Sequence, residues 1–241
     1  MKTIKIALVG KISEPNNSYE NVKEAVDHAA SSLNVQIEIL WVDSVLVNSS
    51  NVKHTLKTAD GIILLGGFGE SGVEGMINTA AYARENNVPI LGICLGMQIM
   101  VIEFARNVLG YKEATSTEFN IETTYPVVDR IKGLKDGELR EGVLSCLTDK
   151  NSLAYQIYGQ EIIVECFRHG YEFNTDYKDA YINHGVRFSC HLKDSVSIEI
   201  LEIPNNNFYI GVQYHPEFES SPSKPHPLFV GLLESIKKYN I

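Results

Sequence analysis

The chain has 241 residues, 44% hydrophobic and 21% charged, enough apolar material for one well-filled α/β core. Twenty-one basic side chains against 30 acidic ones leave a formal charge of −9, which argues against nucleic acid or an anionic membrane as a general partner, since both are polyanions. No run approaches the roughly 20 apolar residues of a spanning helix, and the apolar residues 6–9 are too few for a secretory leader and run into Gly10-Lys11, so a cytoplasmic protein is expected.

Residues 4–9 form a short continuous apolar run, the pattern of a strand buried on both faces. Within 18–33, Val22, Val26, Ala29 and Leu33 recur at helical spacing. Residues 35–42 read as a strand, 51–58 as a short helix, 62–65 as a strand, 72–86 as a helix, 89–93 as a strand and 96–107 as a helix. This alternation predicts parallel βαβ units, with right-handed crossovers placing helices on both faces of the sheet.

The second half is richer in strand signals, at 162–166, 186–191, 196–203 and 208–214, and predicts a smaller antiparallel β portion. The last two runs are separated by the turn Pro204-Asn205-Asn206-Asn207. Residues 132–152 carry the weakest pattern and are expected to form a mobile loop. Pro222, Pro225 and Pro227 mark an irregular stretch before a final helix at 228–239. With no repeat or low-complexity tract, residues 1–241 read as a single domain.

The four cysteines, Cys94, Cys146, Cys166 and Cys190, include no C-x-x-C pair and no nearby histidine at metal-ligand spacing. No metal site is therefore expected, and the last three read as reduced, inert, small hydrophobes. Cys94 differs. It lies in Gly92-Ile93-Cys94-Leu95-Gly96, where an apolar strand runs directly into a helix. This is the G-x-C-x-G form of a nucleophile elbow: the turn strains the backbone at the nucleophile, and the flanking glycines relieve crowding. The thiol would stand at the carboxyl edge of the sheet with a helix N-terminus aimed at it, favouring negative charge there.

A cysteine nucleophile needs a base whose tautomer is fixed. His215, after the apolar run 208–212, is followed by Pro216 and Glu217. A rigid proline between them lets both side chains lie on one side of a short loop, so Glu217 can orient the ring. Leu65-Gly66-Gly67-Phe68-Gly69 also follows a strand. It lacks the lysine and hydroxyl of a P-loop, and reads better as an oxyanion loop whose N–H groups near Gly67 act with that of Leu95.

Together these motifs resemble the class I (triad) glutamine amidotransferases, which carry G-x-C-x-G-x-Q and a later H-P-E, and among them the C-terminal glutaminase domain of CTP synthases. The likeness covers most of the chain, through Val73-Glu74-Gly75-Met76, Tyr82-Ala83-Arg84-Glu85-Asn86-Asn87, Ile102-Glu103-Phe104-Ala105-Arg106-Asn107, Ser116-Thr117-Glu118-Phe119 and residues 213–229. The resemblance implies a flavodoxin-like, mostly parallel sheet. It also implies attack by Cys94 on the glutamine carboxamide to give a γ-glutamyl thioester, with His215 moving the proton and Glu217 orienting it. Substrate contacts carried over by position are Gly67, Leu95, Gly96, Met97, Gln98, Glu118 and Arg168, with Glu118 facing the α-ammonium. No cofactor is implied.

Gly170 stands where the family has an arginine that pairs with the glutamine α-carboxylate, and residues 137–144 lack the family's Gly-Thr-Met-Arg-Leu-Gly lid. The ATP-dependent synthetase half is also outside this chain, and Met1 reads as a natural start. The sequence therefore leaves open ammonia delivery to a separate synthetase chain, hydrolysis of a γ-glutamyl compound, and a non-catalytic regulatory or binding module on the same fold. The intact Cys-His-Glu set counts against the last, and a redox role for Cys94 lacks a resolving cysteine nearby in sequence. A homo-oligomer is left open.

Overall fold

The computed structural model describes residues 3–12, 17–135 and 137–240. The first apolar run becomes β1 (Ile4–Gly10), and its alternate residues enter opposite cores. Ala7 and Val9 join one apolar cluster, and Ile4, Ile6 and Leu8 join another across the sheet, as a period of two requires. The chain continues through α1 (Asn17–Ser32), β2 (Ile37–Asp43), α2 (Val52–Leu56), β3 (Gly61–Leu64), α3 (Val73–Asn86), β4 (Ile90–Ile93) and α4 (Leu95–Asn107). Each lies where the sequence pattern predicted it, to within two residues at nearly every boundary.

The second half contains β5 (Thr115–Ser116), β6 (Pro126–Arg130), β7 (Arg140–Thr148), α5 (Leu153–Tyr158), β8 (Ile162–His169), β9 (Tyr171–Phe173), α6 (Lys178–Asn183), β10 (Arg187–Leu192), β11 (Ile200–Glu202), β12 (Tyr209–Val212) and α7 (Pro227–Asn240). One nine-stranded sheet runs β2-β1-β3-β4-β12-β11-β10-β7-β8. Its first five strands are parallel, and every pairing from β12 outward is antiparallel. The mostly parallel sheet and its antiparallel portion are thus one continuous surface. Helices α1 and α7 pack on one face, and α3 and α4 on the other.

Residues 132–152, expected as a mobile loop, instead contain the nine-residue strand β7, paired with β8 from Arg140↔His169 to Leu147↔Ile162. Its signal is hidden because burial and hydropathy run out of phase. The more buried positions are Arg140, Gly142, Leu144, Cys146 and Thr148, whereas Val143 is 61% exposed. Strand pairing, rather than an apolar face, holds it. The run 196–203 is also shorter than expected, reduced to β11. The small sheet β5-β6-β9 was not anticipated, since strands of two to five residues are too brief for a period to show. It covers the outer side of α4, which is why Leu95 through Ala105 are all buried and why this helix is apolar nearly all round.

One charge pair fastens α3 to α4. Arg84 Nη2 lies 2.7 Å from Glu103 Oε1, Arg84 Nε donates to Glu103 Oε2 at 3.0 Å, and the Asn107 amide donates to Glu103 Oε1 at 3.0 Å. Glu103 is fully buried. Removing one partner strands an uncompensated carboxylate in the core. Arg84→Met is therefore expected to cost about 3 kcal/mol of stability, and Glu103→Met in the same chain should recover part of it; denaturant melts of the single and double variants check both. Among the described residues no helix is long and apolar enough to cross a membrane.

Candidate active site

Cys94 sits between β4 and α4 with φ 53° and ψ −105°, an uncommon backbone state for a residue with a side chain. The two glycines beside it are required by close approach. A Cβ at Gly96 would drive into the Leu64 backbone, and one at Gly92 would lie 2.9 Å from the Gly96 carbonyl and press on the Met100 sulfur. The start of α4 can therefore rest directly on β3. The Cys94 N–H donates to the Val212 carbonyl at 2.8 Å, fixing this cysteine to the end of β12.

Beyond β12 the chain turns through His215 into a 3₁₀ turn, Pro216–Glu219. His215 N–H donates to the Cys166 carbonyl at 2.8 Å, which sets the ring's origin. Nδ1 donates to Glu217 Oε1 at 2.8 Å, and the ring lies near enough to Cys94 for the thiol to act on its charge. Phe218 stacks on the imidazole at 5.3 Å. The three side chains expected to act together therefore lie in one buried group, 3% to 8% exposed, with a hydrogen bond between His215 and Glu217.

Burial is the largest single influence on His215 and pulls its pKa down. The neighbouring Cys94 and the Glu217 carboxylate outweigh it and raise the value to about 11. Because the folded pKa exceeds the usual 6.5, the stability this proton contributes is fully present below about pH 6.5 and is lost as pH rises through about 11. Cys94→Ala removes the main raising influence, so the His215 ring titration followed by NMR should move to lower pH.

The glycine-rich loop after β3 lies over this pair. A Cβ on Gly66 would come within 3.2 Å of His215 Cε1 and 3.6 Å of Cys94 Cβ, and one on Gly67 within 3.5 Å of the Leu95 side chain. Two contacts hold the loop: Lys11 Nζ donates to the Phe68 carbonyl at 2.8 Å, and Gly69 N–H donates to Glu118 Oε1 at 2.8 Å. Burial raises the Glu118 pKa, against the lowering effects of the Gly69 N–H and Lys11.

The other expected contacts are distributed unevenly. Gln98 is 4% exposed, and its amide donates to the Tyr171 carbonyl at 2.9 Å and to Gln213 Oε1 at 3.2 Å. The Met97 side chain turns into the core beneath Gly211. The Arg168 side chain is 59% exposed, with Nε 3.8 Å from Glu141 Oε1, while its carbonyl lies 3.9 Å from Cys94 Sγ. The sequence places Gly66 in the glycine-rich loop and Gln213 at the start of the family-like run 213–229, but sequence reasoning gave neither residue a role of its own. The glycine run and the two-residue offset of Gln213 from His215 were the available signals. Among the described residues no cluster of three or more His, Cys, Asp or Glu is placed to hold a metal.

His169, at the end of β8, is 1% exposed, with Nδ1 donating to the Tyr171 carbonyl at 2.9 Å. Burial lowers its pKa to about 3. A depressed value means that its contribution to stability is present above about pH 6.5 and is lost as pH falls through about 3. Denaturant titrations of His169→Gln, which keeps a donor, should show a flatter acid limb than the parent.

The model for class-I glutamine amidotransferases matches residues 15–235. CTP synthase from Clostridium beijerinckii is 43% identical over 98% of this chain and 45% of its own length, and that from Staphylococcus carnosus is 45% identical over the same shares. The chain thus spans about half the length of the curated relatives it matches. The glutaminase domain of Trypanosoma brucei CTPS, solved with bound acivicin, superposes with a TM-score of 0.93 at 34% identity, covering 99% of this chain and 96% of that one. A chain of PurLQS from Thermotoga maritima, at TM-score 0.56 and 18% identity over 99% of both chains, shares the fold. The chain belongs to the class I glutamine amidotransferase family.

Proposed function

We propose that this chain hydrolyses the side-chain amide of glutamine through a γ-glutamyl thioester on Cys94. The observation that carries the reading is the buried ring of His215, hydrogen-bonded to Glu217 and grouped with Cys94 beneath the glycine-rich loop. The sulfur attacks the carboxamide carbon, and N–H groups at Gly67 and Leu95 receive the oxyanion. The His215 imidazolium gives its proton to the departing amide nitrogen, releasing ammonia. The neutral ring then takes a proton from water, which adds to the thioester and frees glutamate and the thiol. Glu217 holds the ring in the tautomer both steps need.

The ammonia passes to an ATP-dependent synthetase, as a partner domain or chain; we place this reaction in the cytoplasm and read residues 1–241 as a single domain. A second reading has its own observation. Gly170 contributes no side chain, and the Arg168 side chain reaches the surface near Glu141. Neither residue therefore offers a cation for an α-carboxylate, and a γ-glutamyl amide lacking that free group is a substrate this pocket would accept.

Purified protein should release ammonia and glutamate from glutamine and accumulate a thioester trapped by acid quench. Cys94→Ser should lower turnover by at least about a thousandfold. Faster turnover of a γ-glutamyl amine than of glutamine would select the second reading. A folded chain giving neither ammonia nor thioester from any γ-glutamyl compound would end both.

A further inference from the structure

Residues two apart on an extended strand share a face. His215 lies beside Cys94, both bordering Gly66, and Gln213, two residues earlier just past β12, reaches the sulfur from the same face. The Gln213 backbone N–H donates to the Glu199 carbonyl at 3.0 Å, and its side chain is fully buried. Its Nε2 lies 3.8 Å from Cys94 Sγ. Its Oε1 accepts from Gln98 Nε2 at 3.2 Å, and the same Gln98 nitrogen donates to the Tyr171 carbonyl at 2.9 Å.

These bonds settle which way the Gln213 amide points. Gln98 presents N–H donors to it, so Gln213 must turn its oxygen toward Gln98 and its NH₂ toward the sulfur. An amide that only filled space in the core would be satisfied equally well by a backbone carbonyl. This one spends a donor on the nucleophile and has its orientation held from α4.

We infer that Gln213 is a further catalytic residue, donating an N–H to Cys94 Sγ whenever that atom carries charge. The inference rests on Cys94 being the nucleophile of the reaction above. A hydrogen bond to sulfur is weak while the sulfur is a neutral thiol and strengthens as charge accumulates. Charge accumulates twice, before attack on the amide and again when the thiolate leaves the tetrahedral adduct of water with the thioester. His215 moves the protons in both steps, and Gln213 stays neutral and loses none. Gln98 acts through Gln213 and is a positioning residue in this role.

The test separates this role from packing, and from the choice of substrate, by reading the sulfur directly. Gln213→Met keeps the length and removes the donor; Gln213→Asn keeps an amide but withdraws it. With either variant, alkylation of Cys94 by iodoacetamide at neutral pH should slow about tenfold, the expected size for loss of one bond to a charged group. Its pH profile should shift upward, and kcat should fall by a similar factor with KM little changed. An unchanged alkylation profile in a folded variant overturns the proposal even where glutamine turnover is lost. If neither variant folds, the unmutated chain with ¹⁵N-labelled glutamine side chains supplies the answer. A side-chain amide resonance that moves as Cys94 ionises, and stays still in Cys94→Ala, supports the contact; none moving overturns it.

Discussion

The Cys94 N–H donates to the Val212 carbonyl across the β4–β12 ladder, and the rest of the site is built outward from that rung. It places the residue that follows one parallel strand beside the last residue of its neighbour, although 118 positions separate them in the chain (212 − 94). From β4 the chain turns directly into α4, so the sulfur stands at the helix N-terminus. From β12 it continues through Gln213 to His215, whose side chains fall on the same side as the sulfur. A slip of one residue in this pairing would turn both away.

That arrangement has a cost, and the packing around it absorbs the cost. Cys94 occupies a backbone state that stores roughly 1–3 kcal/mol, and such a state persists only where the surroundings over-determine it. Here α4 is confined on both sides, by β3 through Gly96 and by the small sheet on its outer face, and Arg84 ties it to α3 through the buried Glu103. A helix free to shift by one ångström would relax the elbow. The buried ion pair therefore belongs to the same mechanical system as the nucleophile, although it touches no reacting atom.

The parallel half of the fold was legible because β1, β3 and β4 are buried on both faces and read as apolar runs, and the half-exposed edge strand β2 still carries an apolar stretch. The Cys94 elbow was legible because strand, glycines and helix are contiguous. The antiparallel half was harder to read. In β7 the residues turned inward include Arg140, Gly142 and Thr148, so no two-residue period survives. The contribution of β8 could not be seen at all. That strand lies at the far edge of the sheet, four places from β12, yet its Cys166 carbonyl accepts from His215 and its Arg168 carbonyl lies by Cys94. Sheet twist and curl create that meeting, and no local pattern records it.

Side chains can therefore change at this edge of the site without disturbing the Cys94–His215–Glu217 group. The segment from Cys166 to Tyr171 meets the site through backbone carbonyls, at Cys166 for the base, at Arg168 for the sulfur and at Tyr171 for Gln98. Backbone contacts survive substitution of the side chains that carry them. The chain can hold glycine at 170, with Leu139 and Arg130 lying where a side chain would project, and still present an intact Cys94–His215–Glu217 set. The Cys94–His215–Glu217 group and Gln213 are held by the β4–β12 ladder, while β8 meets them through its backbone and leaves its side chains free to vary. Under the proposed function, such a division lets one fold keep its bond-breaking apparatus and change which γ-glutamyl compound enters it.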